Sequence, residues 1–333
     1  MKGIHRSLYI PRYIYVCMLC FCLLTLTSCT KRQPADQGTN GAAAGTVSEI
    51  QNDLTEKYPA QLSGSYSIFE ETMVDMPWPE IEKAAQEGAV VLFVSAVIEE
   101  HGPHMSSGID TYLGYLTCKL VRRELESRGV KTVIAPPFYW GINRSTHVFP
   151  GTFTVRTETM KALLHDIFAS LKSWGFNDIF TFISHGDGSH VLTTLECMQN
   201  ARRDLGLNTC CLVSDRDVPR YRLSGGESHV LVHKFPPIDL PPMQYLDVHA
   251  GLIETGLVAA YFPGLVDTNL ARKLEPSRVK LEDAAAWLQD TRRVTPLGYA
   301  GDPASFNAVM AKEFWNTQCR FIADAIEQKL GRK

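Results

Sequence analysis

Five side chains able to hold a metal ion fall within twelve residues: Glu99, Glu100, His101, His104 and Asp110. They follow directly on an apolar, strand-like stretch over 90–98. Alternate side chains of an extended segment point the same way, so Glu99 and His101 project from one face at the strand's end. Asp110 can return from the following loop to meet them. Imidazole mixed with carboxylate suits Zn, Mn or Fe better than Ca or Mg. The run therefore reads as half of a metal site. Two further polar patches have the same character: His185-Gly186-Asp187, and Asp247-Val248-His249-Ala250-Gly251 closing on Glu254-Thr255.

Taken singly, most of these residues have plainer readings. Asp110 alone is a good cap for a following helix; beside Glu99 and His101 the ligand reading is preferred. Glu100 and His104 read as supporting or solvent-facing, because the Gly102-Pro103 step turns the chain between the two histidines. His190 reads as a helix N-terminal residue, and His165, His229 and His233 have no partner pattern. Phe138, Tyr139 and Trp140 could equally line a pocket or pack.

The elements that position these patches alternate between two periods. Apolar runs over 90–98, 131–135, 178–183 and 209–213 read as strands. Stretches over 112–125, 157–174 and 191–205 read as helices, the second with apolar residues at 160, 163, 164, 167, 168, 171 and 174. Residues 215–243 read as loop, 249–262 as a short helix and 304–330 as a closing helix. This β-α-β-α rhythm predicts an α/β fold: one domain, a largely parallel sheet, helices on both faces. Ligands of such folds bind outside the carboxyl ends of the strands. The patches at 99–110 and 185–187 both follow strands, so they point to one crevice.

The N-terminus is expected to lie outside that domain. Lys2, His5, Arg6 and Arg12 precede an apolar run over 13–26 that is short for a membrane span. Leu26-Thr27-Ser28-Cys29 resembles a bacterial lipobox, so residues 1–28 read as a lipoprotein signal peptide and Cys29 as the lipidated residue. Residues 29–58 are small and polar and read as a flexible tether; 59–333 form the folded domain. The expected location is the periplasm or cell-envelope surface, with the membrane met only through the lipid. A net charge of −3 without a basic stripe argues against nucleic acid as a partner. Cys118, Cys197, Cys210, Cys211 and Cys319 have no CxxC spacing, and the expectation is buried free thiols.

Four patches in order, Glu99-Glu100-His101-Gly102-Pro103-His104 with Asp110, Ser145-Thr146-His147-Val148-Phe149-Pro150-Gly151-Thr152, His185-Gly186-Asp187, and His249-Ala250-Gly251 with Glu254-Thr255, resemble the creatininase (creatinine amidohydrolase) family across about 88–270. The resemblance implies a creatininase-like α/β/α sandwich and a two-metal hydrolase of C–N bonds in small amides, cyclic ones included. Glu99 and His185 would help hold one ion, His101 and Asp187 the other, with Asp110 bridging; the ions would be Zn or Mn, or Fe. His249 would be the general acid–base, Glu254 a catalytic glutamate beside it, and Ser145 and Tyr245 would face the substrate. It also implies a homo-oligomer, commonly a hexamer.

Departures are expected to matter. Ile183-Ser184 precede His185 where many members carry Asn-Gly, and Asp187 is one methylene shorter than the glutamate of creatininase itself. Two rivals stay open. One is a non-catalytic ligand-binding lipoprotein on the same fold; the other is a deformylase, peptidase or lactone hydrolase of the same family. Replacing Cys29 by serine is expected to abolish metabolic labelling by a fatty-acid probe; undiminished labelling of Cys29→Ser would refute lipidation there.

Overall fold

The computed structural model describes residues 66–237 and 245–331. The signal-peptide, tether and Cys29 readings therefore lie outside the described residues. Five strands form one parallel sheet in the order β2-β1-β3-β4-β5: β1 Val90–Ser95, β2 Thr132–Ile134, β3 Asp178–Ile183, β4 Asn208–Ser214 and β5 Val230–His233. In β1, Val91 pairs with Val133 on one side and Ile179 on the other. All six β1 residues are buried, as a central parallel strand covered on both faces requires.

Side-chain alternation along β1 divides the core in two. Val91 and Phe93 pack with helices α1 (Trp78–Gln86), α3 (Thr157–Ser173) and α4 (Gly188–Leu205) through Ala85, Leu164, Phe168 and Leu195. Val90, Leu92 and Val94 face the opposite way, onto α2 (Ile109–Ser127) and the closing helix through Cys118, Val121, Leu125, Ile322 and Ile326. Gly114 lets α2 lie close to the sheet, since a Cβ there would sit 2.6 Å from Val94 Cγ1. The fold is thus the expected helix–sheet–helix sandwich. Among the described residues, the thiols of Cys118, Cys197, Cys210, Cys211 and Cys319 are buried and free. Among the described residues no helix is long and apolar enough to cross a membrane.

Several boundaries differ from expectation. The strand predicted over 90–98 ends at Ser95, because the next residues leave the sheet to build a polar loop. The stretch expected as loop contains β5, whose short edge strand has a burial pattern too brief to recognise in sequence. After the helix α5 (Leu252–Tyr261) comes an unanticipated helix α6 (Ala284–Gln289), followed by a single helical turn, Thr291–Val294. The closing helix, α7, starts at Ala308 rather than 304, with Asn307 accepting from Val309 and Met310 N–H groups as its cap.

Chain direction creates the crevice. From β1 the chain runs outward to β2, then crosses back over β1 to β3 and on to β4 and β5, so β1 and β3 flank the switch point where ligands bind in open α/β sheets. His190 ties that point together. Its Nδ1 accepts from Ile142 N–H (3.3 Å), which leaves the proton on Nε2, 3.0 Å from Ser95 Oγ. Burial, aided by the neighbouring charge of His185, pushes the imidazole down to about 3 from 6.5. Unfolded chain takes up a proton near 6.5 and folded chain only near 3, so this group removes stability as pH falls through that window, by up to ~1.4 kcal/mol per pH unit. Urea unfolding at pH 6.5 to 4 is expected to show a shallower pH slope for His190→Gln than for the parent. Equal slopes would mean that folded His190 takes up a proton freely.

Candidate metal centre

The loop after β1 carries Glu99, Glu100 and His101 back under the sheet's carboxyl edge, where Glu99 N–H donates to Ser107 O at 2.8 Å. All three side chains are buried. His101 Nδ1 donates to the Glu99 carbonyl at 3.0 Å, which leaves Nε2 as the nitrogen facing Asp110. Asp110 does not cap α2: Gly108 is the N-cap, and Asp110 lies in the first turn with its carboxylate turned inward.

Asp110 joins two groups of ligand atoms. Its Oδ2 lies 2.9 Å from His185 Nδ1, which is 3.0 Å from Glu99 Oε2. Its Oδ1 lies 3.3 Å from His101 Nε2, which is 3.8 Å from Glu254 Oε2. Glu99–Asp110–His185 and His101–Asp110–Glu254 are each compact enough to hold a metal ion, and Glu99–His101–His249 forms a third such grouping. The nitrogen and oxygen donors fit a divalent transition metal. Buried Nε2 atoms of His101, His185 and His249, and Oε1 of Glu100, have no hydrogen-bond partner. Orphaned polar atoms cost about 1–3 kcal/mol each, and a cation in these groups would meet the Nε2 atoms of His101 and His249. The centre can bind divalent metal.

Electrostatics agree. Burial alone would raise the Glu99 carboxyl, but the charges of His249, His185 and His101 hold it well below the carboxylate range. Burial opposes charging of His101, yet its contact with Asp110 raises it to about 10. Burial likewise opposes charging of His185, but Glu99 and Asp110 raise it well above 6.5. Burial raises Glu254 against the pull of His101 and His249. Without cations, protons on the histidines balance the carboxylates, so metal uptake must displace protons.

Asp187 is placed differently from expectation. It caps α4, where Oδ1 accepts from Ser189 and His190 N–H groups, and its Oδ2 accepts from Arg144 N–H at 2.9 Å. Both oxygens accept from backbone donors; Asp187 is in none of the three groups, and Glu254 stands in the second. His249 is pinned by paired backbone bonds to Ala300, and its Nε2 lies 3.4 Å from Glu100 Oε1. Its ring is 4.5 Å from that of His101 and 6.3 Å from that of Trp287. Ser145 is half-buried, its carbonyl accepting from Thr291 Oγ1. Tyr245 is half-buried near the start of the segment leading to His249. His147 is exposed, and His104 Nε2 bonds Thr255 Oγ1 behind the centre. Tyr139 and Trp140 line an apolar groove of about 400 Å³ against α3, remote in chemistry from these carboxylates.

Sequence reading missed Thr146, whose hydroxyl donates to Glu99 Oε1 at 2.5 Å. It is the middle residue of the Ser-Thr-His run, and a threonine between a serine and a histidine gives no signal of its own. Glu100 was underrated because only the turn at Gly102 brings it to His249.

The creatininase family profile, described as creatinine amidohydrolase, matches residues 74–326. The chain belongs to the creatininase family. It is 24% identical over 229 residues to the mycofactocin precursor peptide peptidase of Mycobacterium ulcerans (strain Agy99), covering 65% of this chain and 76% of that one. It is 25% identical over 204 residues to the creatinine amidohydrolase of Pseudomonas putida, covering 58% and 72%. A crystal structure of creatininase superposes with a TM-score of 0.61 at 22% identity, covering 79% of this chain and 99% of that one. Other creatininase structures, one a manganese form and one a Zn-Zn form, each superpose at 0.59 and 22% identity, covering 78% of this chain and 98% and 97% of theirs. These likenesses support the fold.

If Glu254 completes the second cluster, Glu254→Gln is expected to lower bound divalent metal from about two ions per chain to about one, read by elemental analysis after gel filtration. Retention of both ions would place the second site's carboxylate elsewhere.

Proposed function

We propose that this creatininase-family hydrolase uses two divalent ions, Zn or Mn, to hydrolyse a C–N bond in a small amide, open or cyclic. The observation that carries the reading is the division of the Asp110 carboxylate between two ligand groups. Glu99, Asp110 and His185 would hold one ion, and His101, Asp110 and Glu254 the other. Bound there, the ions would polarise the amide carbonyl and lower the pKa of water near neutrality.

The chain's own groups supply the rest. His249 reaches the centre as a buried imidazole 3.9 Å from Glu99 Oε1 and 3.4 Å from Glu100 Oε1. Those carboxylates favour its protonated form, so it can take a proton from the attacking water and deliver it to the departing nitrogen. Burial opposes that charge, but Glu99 and Glu100 together raise His249 above its ordinary value. Trp287 forms a wall beside it, and Ser145 and Tyr245 are the proposed substrate contacts.

Similarity to a precursor-peptide peptidase favours a second reading, in which the scissile bond lies in a peptide. We also keep the exported, Cys29-anchored lipoprotein and the family-like oligomer as part of the proposal, supported by the lipobox-like segment and by the family.

His249→Ala is expected to retain its metal and lose ~10²–10⁴-fold in turnover on an amide identified from a panel of lactams, formamides and short peptides. Loss of metal would make His249 a ligand. Full turnover would remove it from proton transfer, and turnover confined to peptides in the parent would select the second reading.

A further inference from the structure

Residues 142–146 belong to no helix or strand, yet the main chain of each one is held by a side chain. Ile142 N–H donates to His190 Nδ1 (3.3 Å), Asn143 N–H to Thr154 Oγ1 (2.9 Å) and Arg144 N–H to Asp187 Oδ2 (2.9 Å). The Ser145 carbonyl accepts from Thr291 Oγ1 (2.5 Å), and Thr146 N–H donates to Asn143 Oδ1 (3.0 Å). Partners come from α4, from the cap before it, from the strand-like return at 154 and from the turn after α6. At the loop's entry, Gly141 has no room for a side chain: a Cβ there would meet His190 Nδ1 at 2.3 Å.

So much fixation has one visible product. The Thr146 side chain is fully buried, and its hydroxyl lies 2.5 Å from Glu99 Oε1 and 2.9 Å from Asn143 Oδ1. A hydroxyl has one proton to give. The nearer acceptor, the Glu99 carboxylate, takes it. With Oε1 held this way, Oε2 is left facing His185. Rotation of the Glu99 carboxylate, which would spoil its approach to an ion shared with Asp110, is blocked.

We infer that Thr146 is a positioning residue for the metal ligand Glu99, and that Asp187 acts on the centre through this loop, by holding Arg144 N–H, and not as a ligand. The inference rests on the metal-centre reading above. Both oxygens of Asp187 accept from backbone N–H groups. One oxygen starts α4, the helix carrying His190, and the other registers the loop against it. Lacking the extra methylene of glutamate, Asp187 keeps its carboxylate at its own helix end, within reach of backbone N–H groups. Hydrogen bonds behind metal ligands typically set ~10–100-fold in affinity.

The experiment is Zn²⁺ and Mn²⁺ binding to metal-stripped full-length protein, by competition with a chromophoric chelator and by elemental analysis at saturating metal. Variants are Thr146→Val, Thr146→Ser and Asp187→Asn; asparagine caps a helix as well as aspartate does, so the last keeps α4 while severing the loop. Thr146→Val is expected to weaken one site ~10–100-fold, and Thr146→Ser to restore it to within a few-fold. Asp187→Asn is expected to weaken the same site while both ions still bind at saturation. Parent-like affinity in Thr146→Val, or failure of serine to rescue, overturns the role of Thr146. Loss of one ion at saturation in Asp187→Asn makes Asp187 a ligand and overturns its role here. A parent protein that binds no ion at all refutes the metal-centre reading itself, which the variants do not address. Thermal melting of each variant separates unfolding from weakened binding, and if valine prevents folding, Thr146→Ser against Thr146→Ala decides the same question.

Discussion

A single carboxylate, that of Asp110, faces two groups of buried ligands at once. Each of its oxygens lies within 3.3 Å of an imidazole nitrogen, His101 on one side and His185 on the other. Glu99, Glu100 and Glu254 crowd the same space, and so does His249. Burying so many ionisable groups together is costly unless charges are paired. Cations answer that cost directly, because one shared carboxylate also offsets the repulsion between two ions.

The sheet positions the first of these groups. In the order β2-β1-β3-β4-β5, the chain leaves β1 and β3 at the switch point, and Glu99, His101 and His185 are carried on the segments that follow. Asp110 comes from the first turn of α2, which Gly114 allows to lie against Val94. Asp110 is thereby fixed by a helix packed on the sheet, and Glu99, His101 and His185 by the loops that leave β1 and β3. Glu254 and His249 come from a different region, α5 and the turn before it, held by the bridge between His249 and Ala300.

Much of this was legible in sequence, for a physical reason. Parallel strands buried on both faces are apolar throughout, so Val90 to Ser95 announce themselves, and a Glu-x-His pattern right after such a run has few other uses. The two-faced sheet and the clustering of Glu99, His101, Asp110 and His185 followed from those signals. Edge strand β5 and helix α6 did not, since their residues are only partly buried and lack a clean period. Asp187 shows a different limit. Its residue type fits both a ligand and a helix cap, and only the positions of the Arg144, Ser189 and His190 N–H groups decide where its oxygens turn. Glu254 reads as a helix residue near the site, while its reach to His101 depends on a backbone conformation that sequence does not display.

That conformation is the left-handed one at Ala250, with φ of 50° beside His249. A non-glycine residue held there costs of order 1–3 kcal/mol and persists only where its surroundings enforce it. Three groups enforce it. Glu254 Oε2 accepts from Ala250 N–H at 2.6 Å, Asp247 Oδ2 accepts from Leu252 N–H at 2.9 Å, and Gly251 leaves no space for a side chain against Asp247. Hydrogen bonds to a charged group contribute about 1.5–3 kcal/mol each, enough to offset the strain. The oxygen of Glu254 that stabilises this turn is the same one that faces His101 at 3.8 Å. One carboxylate therefore sets the backbone that aims His249 and completes the second ligand group. Through it, the turn that carries His249 and the second ligand group depend on one side chain.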